Sequence, residues 1–230
     1  MKTILNIASI TVFALFLAAS CGNQNYTNYE SSQLVGNWQE IMPEGNNFVK
    51  YILLEDNGSA SSIGSISTIY NNWKIDNAKD GIQNIILQGI STENGEPVQF
   101  TDTLNIISII NDTLTIKKWK DYQIKYVKRE NINITINDPD KLAKAILVTS
   151  TTINNPNIDG YIIFSPDSSS VELLLPEINV TLEKRTNGNG KSVWNIEDDD
   201  TYQVEKIEGD WQITRRGVLL YRSYLDDDIS

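Results

Sequence analysis

Carboxylates, lysine or tyrosine must carry whatever side-chain catalysis this chain performs. It holds 30 acidic residues and no histidine. Without imidazole there is no Ser-His or Cys-His pair, and the most frequent general base and zinc ligand are missing. The sole cysteine, Cys21, excludes an intramolecular disulfide and a cysteine-based metal cluster. The densest acidic run is Glu197-Asp198-Asp199-Asp200. Alternate carboxylates at Asp198 and Asp200 on a loop suit calcium, which gathers about six to eight oxygens. The run lacks the Asp-x-Asp-x-Asp-Gly spacing and distant glutamate of dedicated calcium loops. It therefore reads first as a solvated acidic turn facing Arg215 and Arg216. Paired carboxylates also hydrolyse glycosides, but no spacing here favours one pair. A carboxylate-based hydrolase stands last among the readings, and no catalytic residue and no cofactor are expected.

The elements that would position these groups are strands. The chain has 230 residues, of which 40% are hydrophobic, enough for one large or two small β domains with packed cores. Its net charge of −11 argues against nucleic acid, whose phosphates require a basic surface. The same charge disfavours simple electrostatic adhesion to an anionic membrane.

Hairpin signals recur over residues 34–130. Val49–Leu54 is followed by Asp56-Asn57-Gly58-Ser59, and Ile85–Leu87 by Glu93-Asn94-Gly95-Glu96; Asn-Gly tolerates the positive φ of a tight turn. Asn111-Asp112 and Lys120-Asp121 separate later runs. Period-two alternation puts Phe100, Leu104, Ile106 and Ile110 on one face, and likewise Leu114 with Ile116, and Tyr122 with Ile124 and Tyr126. Closely spaced turns with consecutive hairpins predict an antiparallel meander closing as a barrel or wrapping as a sandwich. Trp38 and Trp73 read as core residues, since tryptophan buries a large apolar area.

The amino terminus is of another kind. Met1-Lys2 precedes the apolar run Ile4–Ala19, which is short for a membrane span of ~20 residues and suits a secretory signal over residues 1–20. Leu17-Ala18-Ala19-Ser20-Cys21-Gly22 resembles a bacterial lipoprotein signal. That resemblance implies cleavage before Cys21, acylation of its thiol, and anchoring by lipid to the outer membrane, facing either the periplasm or the exterior. Leucine usually stands three places before the cysteine, whereas Ala18 holds that place here. Residues 22–33, rich in Asn, Ser, Thr and Tyr, read with Cys21 as a flexible tether.

Leu34-Val35-Gly36-Asn37-Trp38 resembles the Gly-x-Trp on the first strand of lipocalins. Together with Asp56–Ile63, Asn72–Ile75 and Phe100–Leu104, it resembles the lipocalin-like domains of bacterial lipoproteins. The resemblance implies a lipocalin-like β-barrel over residues 34–130, with Gly36 allowing close packing and Trp38 plugging the closed end. It also implies a basic residue of the last strand over Trp38, for which Lys125, Lys128 and Arg129 all qualify. A domain this short implies an interior filled with side chains.

Residues 131–225 read as a second, mainly β domain, and 226–230 as an acidic tail. Asp138-Pro139 opens either a short helix over Asp140–Ala145 or a loop before a strand at Ala145–Ser150. Tyr51–Leu54 before Asp56–Ser59 is echoed by Tyr161–Phe164 before Asp167–Ser169, a hint of duplication. The fold expected is thus all-β, an antiparallel lipocalin-like barrel followed by a second β domain. The function expected is that of an envelope lipoprotein, held to the membrane through Cys21, that binds a small apolar ligand or a partner such as an envelope protein, without catalysis. A structural module docking an envelope protein or glycan is the alternative.

Overall fold

The structure, a computed structural model, describes residues 28–44, 48–65, 68–77, 81–91, 97–151, 158–196 and 199–223. The first sheet contains β1 (Gly36–Glu40), β2 (Tyr51–Leu54), β3 (Ala60–Ile63), β4 (Thr68–Asn77), β5 (Gln83–Ser91), β6 (Val98–Ile110), β7 (Thr113–Lys117) and β8 (Gln123–Arg129). They pair antiparallel in the order β3-β2-β1-β8-β7-β6-β5-β4, an up-and-down meander. The meander curls until β3 meets β4. At one end a bridge joins Ser59 and Asn72, and the Trp73 N–H donates to the Gly58 carbonyl at 2.8 Å. Further along, the backbones part and Ser62 spans the gap: its Oγ donates to the Thr68 carbonyl at 2.7 Å and accepts from the Tyr70 N–H at 3.4 Å. Full backbone pairing would leave no edge; here one side chain completes the closure.

Alternation holds until a bulge resets it. Leu104 and Ile106 are buried, but the register of β6 on β7 shifts between Ile106 and Ser108. Ile109 then packs on the core opposite Leu114, while Ile110 turns outward and is 62% exposed. Ile110 therefore leaves the face that period two predicts, because one extra residue inverts every later side chain. Asn111 and Asp112, at φ 47° and 58°, form the tight turn that follows. Tyr122 also departs from expectation. It sits in the β7–β8 turn, stacked on Trp119, rather than on the face of Ile124 and Tyr126.

The expectation of a free tether needs correction near its end. Ser31–Leu34 forms a one-turn helix, α1, closed by a capping box in which Glu30 and Gln33 satisfy each other's backbone. Leu34 is fully buried, and Gln83 exchanges hydrogen bonds with the Tyr29 backbone. Polar composition concealed a segment that caps the barrel floor with one leucine and one tyrosine.

The second sheet contains β9 (Ala145–Ser150), β10 (Asp159–Phe164), β11 (Ser170–Leu175), β12 (Ile178–Thr186), β13 (Ser192–Ile196), β14 (Asp199–Ile207), β15 (Asp210–Arg215) and β16 (Val218–Arg222). It is a closed eight-stranded barrel, again an up-and-down meander, with β16 returning to β9 through Tyr221–Ser150 and Arg222–Thr149. Both readings of the boundary segment are realised in part. A single helical turn, α2 (Pro139–Leu142), is capped by the Asp138 side chain, and the strand β9 follows it. The two tyrosine-led runs that echo one another fall on β2 and β10, the second strand of each barrel.

Candidate functional site

The closed end of the first barrel is built around Trp38. Its ring is 1% exposed, and its Nε1–H donates to the Leu34 carbonyl at 2.6 Å. Lys128 is the directly opposed residue on β8, and its Nζ lies 5.4 Å from the ring centroid. Register thus selects Lys128 from the three basic residues of the last strand. Gly36 makes the arrangement possible. Its φ is +137°, and a Cβ there would stand 2.6 Å from Lys128 Cε. Above this plug the interior is solid: Trp38, Ile52, Leu87, Leu104, Ile116, Tyr126 and their neighbours leave a void of only about 10 Å³. That is about the smallest space that admits one water.

The opposite end is open. A cup of about 240 Å³ is lined by Ile52, Ser62, Tyr70, Ile124 and Tyr126, together with Glu40, Lys50, Lys118, Trp119 and Tyr122. Its polar groups are ordered. Tyr70 donates to Asp102 at 3.0 Å, and Lys118 bridges the same carboxylate at 2.9 Å. Burial, followed by the charge of Asp102, pushes the Tyr70 phenol far above its ordinary value. Burial, with Glu40 next in effect, does the same to Tyr126. Both therefore stay neutral, as donors rather than bases. The cup is amphipathic, with an aromatic wall and a few fixed polar groups, the usual make-up of a small-molecule site. Its volume is slightly below the usual range of about 300 Å³ upward. Larger hollows of about 360 Å³ beside Asn71, Gln88 and Gln99, and about 370 Å³ beside Asp140, Lys144 and Phe164, are more open to solvent.

Sequence reasoning missed a second constellation, where the barrels meet. Leu53 and Ile63, on the outer face of β2 and β3, join the core of the second barrel, with Phe48 and Tyr51 packed beside them. Glu177, in the β11–β12 turn, is 1% exposed. It accepts from Tyr221 at 2.7 Å and from Tyr202 at 3.3 Å, and its carbonyl accepts from the Val49 N–H at 3.0 Å. Burial pushes its carboxyl above the usual range, against the opposing pull of the tyrosines and Arg215. Arg215 lies 4.5 Å over Phe48 and 5.1 Å over Tyr202, and donates to the Gly64 carbonyl at 3.1 Å. The expectation that Arg215 serves a solvated acidic turn is corrected: it is largely buried in the seam. A lone acid between Leu173-Leu174-Leu175 and Ile178 was the available signal.

Cys21, Glu197 and Asp198 lie outside the described residues, as does the side chain of Asp200, whose backbone is in β14. Among the described residues no group of three or more His, Cys, Asp or Glu is placed to hold a metal, and no helix is long and apolar enough to cross a membrane. The buried acids there are Glu177 and Asp210, the latter paired with Arg222.

An eight-stranded meander with a Gly-x-Trp first strand, and a last-strand cation over that tryptophan, defines a lipocalin-like barrel. Residues 30–129 match the family model described as lipocalin-like. A crystal structure of a lipocalin-like protein from Bacteroides thetaiotaomicron is similar, at 31% identity over 42% of this chain and 97% of that one, with a TM-score of 0.35. No curated protein matches the chain. Through its first barrel the chain belongs to the lipocalin-like family.

Proposed function

We propose that this chain is an exported envelope protein whose first barrel captures a small, largely apolar ligand at its mouth, without catalysis. The observation that carries this reading is the tyrosine-lined cup of about 240 Å³ above a solid floor. A long ligand threaded down the axis does not fit; a compact ring or the end of a larger molecule does. The neutral phenols of Tyr70 and Tyr126 and the Asp102–Lys118 pair offer a few directional contacts to one polar group. Export and anchoring by lipid on Cys21, at the outer membrane, rest on Met1-Lys2, the apolar run Ile4–Ala19 and the cysteine that ends it. A non-enzymatic reading rests on the absence of histidine and on buried carboxylates already committed to tyrosine or arginine partners.

The solid floor also supports a second reading, in which the protein is an interaction module rather than a carrier. Native mass spectrometry on the chain beginning at Gly22, purified from its own host, separates the two. A bound mass that is lost on unfolding, and lost in Tyr126→Ala, supports capture. A ligand-free mass across preparations overturns it. Incorporation of labelled palmitate that disappears in Cys21→Ala tests the anchor separately.

A further inference from the structure

We propose that the β7–β8 rim of the first barrel is a docking surface for an anionic phospholipid bilayer. Trp119 and Tyr122 stand at the tip of this hairpin, 62% and 55% exposed, with rings 6.1 Å apart and 17° from parallel. Ile41, 52% exposed, lies beside the start of β8, where its N–H donates to the Lys125 carbonyl at 2.8 Å. The turn is well formed: the Lys118 N–H donates to the Tyr122 carbonyl at 3.0 Å, the Tyr122 N–H donates to the Trp119 carbonyl at 3.1 Å, and Lys120 takes φ 51°. The aromatic pair is thus held outward by the fold.

Charge selects the partner. The segment Lys117–Lys125 holds four lysines and one aspartate, in a chain of net charge −11. Lys117 is engaged by Asp121, and Lys118 by Asp102. Lys120, between the two aromatic residues in sequence, and Lys125, three residues after Tyr122, are both exposed. Tryptophan and tyrosine with flanking lysines suit a headgroup layer, where rings rest among the acyl boundary atoms and ammonium groups reach phosphate. Each such lysine near an anionic surface adds attraction that falls off within about 10 Å, so the patch, where Asp121 is paired with Lys117 and Glu40 lines the neighbouring cup, acts apart from the acidic residues elsewhere in the chain. Two exposed aromatic side chains make a small face beside the roughly 800 Å² per partner of a stable protein interface. They are sufficient for shallow insertion. The patch is separated from the β2–β3 seam by β1 in the strand order, and it borders the cup.

Co-sedimentation tests this on the unacylated chain beginning at Gly22, which contains both barrels. The vesicles are phosphatidylcholine alone, or phosphatidylcholine with 30% phosphatidylglycerol. Binding to the anionic vesicles is expected, with a blue shift of tryptophan emission as Trp119 leaves water. Trp119→Ala with Tyr122→Ala is expected to weaken binding at least tenfold. Lys120→Glu with Lys125→Glu should remove the preference for phosphatidylglycerol. Ile110→Ala, equally exposed but at the closed end, should bind as the parent does. Wild-type chain remaining in the supernatant with both vesicles overturns the proposal, and so does undiminished binding by the aromatic double variant. Capture of a ligand by the cup is read by mass spectrometry and stands or falls separately.

Discussion

Lys128 occupies the space that a side chain on Gly36 would need, and from there it covers the ring of Trp38 at 5.4 Å. One glycine, one tryptophan and one lysine from the first and last strands of the sheet thereby close the barrel floor. Gly36→Ala should destabilise the protein by about 1–3 kcal/mol, chiefly because φ +137° is foreign to alanine and only secondarily because Lys128 must move. Lys128→Met keeps most of the stem and should cost about 0.5–1 kcal/mol through loss of the cation. Denaturant unfolding of both variants measures these values.

The seam makes the barrels interdependent. Leu53 and Ile63 belong to the first sheet by sequence and to the second core by contact. Ile63→Ala should cost about 2–4 kcal/mol, within the range for emptying a buried aliphatic site. Calorimetry should show both barrels shifting together in one transition. Two separated transitions, with only the first displaced, would contradict this.

Glu177 gives the seam a pH dependence. Its folded-state pKa is raised by burial, so the native protein holds this proton more tightly than the unfolded chain does. The associated stability is fully present below the unfolded value near 4.5 and is lost as pH rises through the raised folded value. Glu177→Gln keeps an acceptor for Tyr202 and Tyr221 without the charge. Its thermal unfolding temperature should exceed that of the parent at pH 8 and converge with it towards pH 4.5.

Ser62 is the hinge pin of the barrel closure. Its hydroxyl replaces missing backbone bonds between β3 and β4. Ser62→Ala should cost about 1 kcal/mol. Hydrogen exchange at the Tyr70 amide should accelerate while that at Trp73, bonded directly to Gly58, stays slow.

Much of this was legible in the chain alone. Asn57-Gly58 and Asn111-Asp112 marked hairpins because only certain residues accept positive φ, and the alternation over Leu104–Ile106 and Leu114–Ile116 marked inward faces. Gly36 and Trp38 marked the first strand of a lipocalin-like barrel. Local chemistry determines these features, and local chemistry is what a sequence displays. The tertiary structure decided the rest. Which of Lys125, Lys128 and Arg129 meets Trp38 depends on strand register, which a single bulge or turn residue resets. Ile110 faces water rather than the core for the same reason. That the interior is solid while the mouth is open follows from how side chains from eight strands sum in one space. Above all, the destination of Leu53, Ile63 and Glu177 could not be read: the two aliphatic residues are buried in a core whose other buried members begin at Val148, Glu177 meets tyrosines 25 and 44 positions further on, and burial at such a seam leaves no periodic trace in either partner.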